Sequence, residues 1–209
     1  MPKLQPMPEP NVYPAYGIYL LEPKHRSIRR LKKEYQPSVH GHKTWDSSFV
    51  LMDYLQEHPI AKGARVMEVG CGWGPASIYC ARRFKAKVTG VDIDPDVFPF
   101  LDVLAELNDV KVKQRVSRFE KLKGKELGGF DVLIGSDICF WDNLVKPLYR
   151  LISRALEAGT KRVIITDPGR PTFHELCELC RGKFKVELTE WYALEPARNE
   201  GEVVEITLV

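Results

Sequence analysis

Residues 65–74 read RVMEVGCGWG, and the rest of the chain is organised around them. Val66, Met67 and Val69 form an apolar run long enough for a buried strand and too short for a helix. Gly70, Gly72 and Gly74 follow at alternate positions, and PASIYCARRFK then has helical character. Strand, glycine turn and helix is the grammar of a nucleotide-binding crossover. Glycine permits positive φ and leaves no side chain where a ligand must touch the main chain. The helix start adds free N–H groups and the positive end of a dipole.

The pattern repeats outward from that stretch. KVTGVDI (87–93) reads as a second strand ending near Asp92. Asp94-Pro95 supplies a cap followed by proline for a helix carrying Val97, Phe98, Leu101, Leu104, Ala105 and Leu107. VKVKQRV (110–116) alternates, as a strand nearer a sheet edge does, and the polar 120–129 reads as a loop. FDVLIGS (130–136) is a fourth strand with Asp137 just past it. A helix over 144–158 has Leu148, Leu151, Ile152, Ala155 and Leu156 as its stripe, and Gly159 stops it. RVIIT (162–166) is a fifth strand, DPGRP turns the chain, and a helix covers 172–181. FKVELTEW (184–191) and EVVEITLV (202–209) have no helix between them, so they are expected to pair antiparallel.

Upstream, residues 47–58 form a helix capped by Asp46 or Ser47 and ended by Pro59. RSIRRLKKEY (26–35) is a short basic helix with Ile28, Leu31 and Tyr35 on one face. Residues 1–23 hold six prolines, so regular structure is not expected there, although Tyr13, Tyr16 and Tyr19 suggest packing. The division is a proline-rich and basic arm over 1–42 and a second domain over 43–209. The expected fold is α/β: a Rossmann-like, open, mostly parallel seven-stranded sheet, helices on both faces, and a C-terminal antiparallel hairpin.

Composition narrows the function. The 209 residues suit one large core. No apolar run approaches the roughly 20 residues of a membrane span, and MPKLQPMPEP has no apolar signal core. Five cysteines at low density point to reduced thiols in a cytoplasmic setting. A net charge of +3 gives no global pull towards nucleic acid, although six cations lie between Lys24 and Lys33. That basic run reads either as a solvated face or as a docking strip for an acidic partner. Cys177-x-x-Cys180 and His174 lack a second ligand pair, so no metal is expected and the thiols are read as buried. His40 and His42 read as polar surface.

The turn itself discriminates between ligands. A dinucleotide site wants its third glycine where Pro75 stands. Glu68, two residues before Gly70, suits a cation better than a pyrophosphate. EVGCGWG followed by VTGVDID resembles the S-adenosylmethionine site of the class I, seven-strand methyltransferases, whose sheet also ends in a hairpin. The resemblance implies that Glu68, Gly70, Gly72 and Gly74 shape the cofactor pocket. It implies that Asp92 accepts from the ribose hydroxyls, and that Ile93, Ser136 and Trp45 lie against the cofactor. After the third strand the family often has an acidic residue where this chain has Ser117-Arg118-Phe119, and Phe119 reads either as a cofactor-binding ring stacked on adenine or as core. SDICFW (136–141) resembles the D-x-x-Y/F element of the seven-strand protein lysine methyltransferases. Gly41-x-x-x-Trp45 and DPGRP (167–171) match that subgroup as well. The subgroup implies a protein substrate, with Asp137 orienting or deprotonating the amine and Phe140 walling an aromatic channel. Trp141, Trp191 and Tyr192 are further candidates for that wall. Cys71 and Cys139 are expected beside the ligand. The alternatives are a methyltransferase for a small amine or for RNA, or a binding protein that keeps the cofactor pocket without catalysis. A nicotinamide-dependent oxidoreductase fits least. Oligomeric state is not readable from these residues.

Overall fold

The computed structural model describes residues 9–38 and 40–209. Two short strands, β1 (Val12–Ala15) and β2 (Ile18–Leu21), precede the basic helix α1 (Arg26–Glu34) and the helix α2 (Ser47–Glu57). The alternating core follows: β3 (Arg65–Val69), α3 (Pro75–Phe84), β4 (Lys87–Asp92), α4 (Phe98–Leu107) and β5 (Val112–Val116). Then come the single turn α5 (Gly124–Leu127), β6 (Val132–Ser136), α6 (Asp142–Glu157), β7 (Arg162–Asp167) and α7 (Pro171–Arg181). The last two strands are β8 (Lys185–Ala193) and β9 (Asn199–Thr207).

The large sheet has seven strands in the order β5-β4-β3-β6-β7-β9-β8. The first five strands in that order are parallel; β9 runs antiparallel to β7 and to β8. Strand order reverses between β3 and β6, so the crevice at the carboxyl ends of those strands is where such a sheet binds ligands. Helices α1 to α4 share one apolar core with Val66, Val88 and Ile134. Helices α5 to α7 share another, on the opposite face, with Met67, Val69 and Ile165. Alternate residues of one strand thus supply both faces, as the period of two requires. The α6 stripe, Leu148 to Leu156, is fully buried, and β5 lies at the sheet edge as its alternation predicts.

The N-terminal segment departs from expectation. Its first eight residues, with three of the prolines, lie outside the described ones. Residues 12–21 form an antiparallel hairpin rather than an irregular arm. Tyr16 and Gly17 both take positive φ, the tight two-residue turn that matches strand twist. Pro14 is tolerated because a two-stranded ribbon leaves an open edge. Ile18, Leu20 and Leu21 are buried, and the Tyr16 hydroxyl donates to Asp53 while accepting from the Leu194 and Glu195 amides. The segment 120–129 is also not all loop, since it contains α5.

Candidate functional site

The glycine turn is built by packing as much as by ligand access. Gly70, Gly72 and Gly74 all have positive φ. A Cβ on Gly70 would meet Ile138 at 2.5 Å, and one on Gly74 would meet Leu101 at 2.6 Å. Gly72 has no atom within 4 Å of that point, so its backbone faces open space. Gly74 has no side chain to cap α3. Glu68 does this from below: its carboxylate accepts from the Ser77 amide at 2.8 Å and from the Ser77 hydroxyl. Glu68 is buried, and burial pushes its pKa up to about 7 against the pull of those hydrogen bonds.

Above the turn lies a cleft of about 290 Å3. At one end stands Asp92. One carboxylate oxygen accepts from the Gly72 amide at 2.9 Å and the other from the Asp94 amide at 3.0 Å. Each oxygen keeps a further acceptor direction, which suits a vicinal diol. Burial raises the Asp92 pKa while those amides pull it down. Ile93 projects into the cleft, 43% exposed despite its apolar side chain. Phe119 lines the same end, and Arg154 holds its loop by donating to the carbonyls of Phe119 and Leu122.

The other end is made by β6, β7 and the segment entering α2. Ser136 ends β6, and Asp137 follows with φ of 58°, a left-handed conformation that aspartate tolerates better than most residues. The Asp137 amide donates to the Thr166 carbonyl at 2.8 Å. Arg170 Nη1 lies 2.5 Å from Asp137 Oδ1 and 2.9 Å from Asp167 Oδ2. Asp167 is itself buried and accepts from the Gly169 and Arg170 amides. Partial burial opposes the Arg170 charge, and the two carboxylates more than offset it.

A strap made of residues 36–38 and 40–45 closes the cleft. The Ser38 amide and hydroxyl donate to Asp94, Trp73 Nε1 donates to the Gly41 carbonyl at 2.9 Å, and Trp45 Nε1 donates to the His40 carbonyl at 2.8 Å. The His40 ring packs edge-on against Trp45 and Phe140, with centroids 5.7 and 5.0 Å away, and Trp141 lies beside it.

The likeness to known proteins enters on this geometry. Residues 66–159 match the family model described as a methyltransferase domain. The fold resembles a methyltransferase from Pyrococcus furiosus, with a TM-score of 0.62 and 14% identity over 83% of this chain and 89% of that one. Residues 66–159 thus carry a methyltransferase domain, on the fold of the class I methyltransferases. Their cofactor, S-adenosylmethionine, fits the site: Asp92 offers acceptors for its ribose, Gly72 leaves room for close approach, and Ile93 and Phe119 offer apolar surface. The chain is 30% identical over 130 residues to the electron transfer flavoprotein beta subunit lysine methyltransferase of Xenopus laevis, covering 62% of this chain and 52% of that protein. It is 33% identical over 138 residues to the histidine protein methyltransferase 1 homolog of Dictyostelium discoideum, covering 62% and 44%. The chain thus spans about half the length of these curated relatives.

Of the residues singled out in the sequence, Trp45, Gly70, Gly72, Asp92, Ile93, Phe119, Ser136, Asp137 and Phe140 line one cleft. Glu68 and Gly74 do not. Glu68 is beneath the turn, where it meets α3, and Gly74 packs against Leu101. Trp141 joins the wall, whereas Trp191 and Tyr192 do not; Trp191 packs on Tyr54 and His58 and donates to Asp53. Cys71 and Cys139 are buried behind the cleft rather than lining it. Cys177 and Cys180 are free, buried thiols, pushed up to about 12 by burial. Sequence reasoning missed His40 and Lys43, which line the cleft, and Arg170, which fixes Asp137. The G-x-x-x-W match at Gly41 and Trp45 was the available signal for the first pair, and DPGRP for the last.

Proposed function

We propose that the chain methylates the side-chain amine of a protein lysine. The observation that carries this reading is the placement of Asp137 and Phe140 in the same cleft as Asp92. The lysine methyltransferase relatives support it. When bound, S-adenosylmethionine supplies an activated methyl group on a sulfonium, so positioning does much of the remaining work. Asp92 and the Gly72 backbone hold the ribose end. Arg170 occupies Asp137 Oδ1 and leaves Oδ2 without a hydrogen-bond partner among the described residues. That oxygen orients the incoming ammonium and takes its proton, giving the neutral amine needed for attack. Phe140, Trp141, Trp45 and His40 exclude water and present aromatic faces to the positive charge spread over nitrogen and sulfur.

The arm over 1–42 and the domain over 43–209 act as one unit in this reading, because His40 and Gly41 line the cleft. Among the described residues no helix is long and apolar enough to cross a membrane. Five free cysteines suit a reducing, cytoplasmic setting. The Dictyostelium relative's name favours a second reading, with a histidine imidazole as acceptor. Incubating the protein with cell extract and cofactor bearing a tritiated methyl, then hydrolysing the labelled protein, separates the two. Methyllysine is expected; label only on histidine, RNA or small molecules refutes the lysine reading.

A further inference from the structure

The basic run of α1 takes no part in the site described above. Ile28 and Leu31 pack inward, and Lys24, Arg26, Arg29, Arg30, Lys32 and Lys33 are all exposed. Among the described residues only Arg26 of these six forms an ion pair, with Glu9 at 3.1 Å. Like charges crowded on one short helix repel each other, and an anionic partner relieves that repulsion.

The strip runs directly into the cleft. Lys32 Nζ lies 5.6 Å from the Trp73 ring centroid, and the same indole donates to the Gly41 carbonyl in the strap. His42 is held below its ordinary pKa, by partial burial first and by Lys32 and Lys43 next. Lys43, also exposed, lies over the Trp45 ring at 4.1 Å and lines the cleft mouth. Positive charge is therefore continuous from the outer face of α1 to the entrance.

We propose that α1 and the strap form a docking surface for an acidic segment of the protein substrate, next to the side chain it presents to the cleft. The inference rests on the lysine reading above and names what flanks the acceptor. Anionic residues lie along α1, and the acceptor enters the cleft at its mouth beside Lys43. A polypeptide fits this surface better than RNA, because the outer face of α1 carries no aromatic ring, so bases would find only guanidinium planes to stack on.

The test uses the full chain and two fluorescent peptides of equal length, each with one central lysine, flanked by glutamates in one and glutamines in the other. Anisotropy is measured with S-adenosylhomocysteine present, alongside a single-stranded RNA oligomer. The acidic peptide is expected to bind more tightly than its glutamine twin. Arg29→Glu with Arg30→Glu and Lys33→Glu is expected to weaken it about tenfold, the sum of several exposed ion pairs. The same charge change at Lys62, Lys87 and Lys111, exposed at the amino ends of β3, β4 and β5, is expected to leave it unchanged. Retained S-adenosylhomocysteine binding shows that each variant is folded. Equal weakening by both triple variants overturns the proposal, as does equal binding of the two peptides. Tighter binding of the RNA, lost with the α1 variant, overturns it in favour of nucleic acid. Since binding is read without transfer, a methylhistidine result in the extract assay sinks the lysine reading separately.

Discussion

The two ends of the cleft are built in different ways. The Asp92 end is fixed by backbone: a strand end, two amide donors and a glycine turn whose shape Leu101 and Ile138 enforce. The Asp137 end is fixed by side chains from separated segments, with Arg170 from the β7–α7 connection and aromatic rings from the strap. A backbone site accepts one invariant ligand. A side-chain site is free to vary with the acceptor. The first is therefore suited to hold the same ligand whatever the acceptor, and the second to change with the acceptor.

Four substitutions break or sharpen that contrast. Asp137→Ala is expected to lower turnover by about a thousandfold, combining lost proton acceptance and lost orientation. S-adenosylhomocysteine affinity should stay unchanged, as titration of protein fluorescence would show; a parallel loss of affinity would mean that the two ends are not separable. Glu68→Gln probes the foundation of the backbone end. The folded-state pKa of Glu68 is raised from 4.5 to about 7, so the native state binds its proton more tightly than the unfolded chain does. Its stabilising contribution is complete below pH 4.5 and is lost as pH rises to about 7. Relative to the parent, the Gln variant should gain about 3 kcal/mol between pH 4.5 and pH 8, read from denaturant melts at both values.

Asp92→Ala is expected to weaken S-adenosylhomocysteine by about thirtyfold, the loss of charge-assisted hydrogen bonds to a diol. Unchanged affinity would remove the ribose assignment. Arg170→Ala should lower turnover about tenfold without moving cofactor affinity, because Asp137 loses the partner that fixes its direction. The double variant with Asp137→Ala should be no worse than Asp137→Ala alone. Additive losses would mean that Arg170 acts elsewhere.

Legibility in the sequence followed the same division. The sheet, its hairpin and the Asp92 end could be read because each rests on local patterns: hydrophobic period, glycine spacing and a strand-end carboxylate. The acceptor end rests on contacts between residues far apart in the chain, such as Arg170 with Asp137 and His40 with Phe140. Glu68 was misplaced for a related reason. Its position two residues before Gly70 is local, but whether it points to the ligand or into α3 depends on packing against Ser77. The β1–β2 hairpin was missed because proline content outweighed the turn signal, although Tyr16-Gly17 is short enough to close one.

The left-handed backbone at Asp137 carries an evolutionary consequence. A residue there must hold positive φ, which few side chains other than glycine, asparagine and aspartate do at low cost. Of those three only aspartate is anionic. Drift at this position is thus funnelled: most single changes strain the chain, and the two that do not remove the charge. A lineage that abandons transfer while keeping the cofactor pocket should carry Asn or Gly here, with the β6–β7 connection otherwise intact.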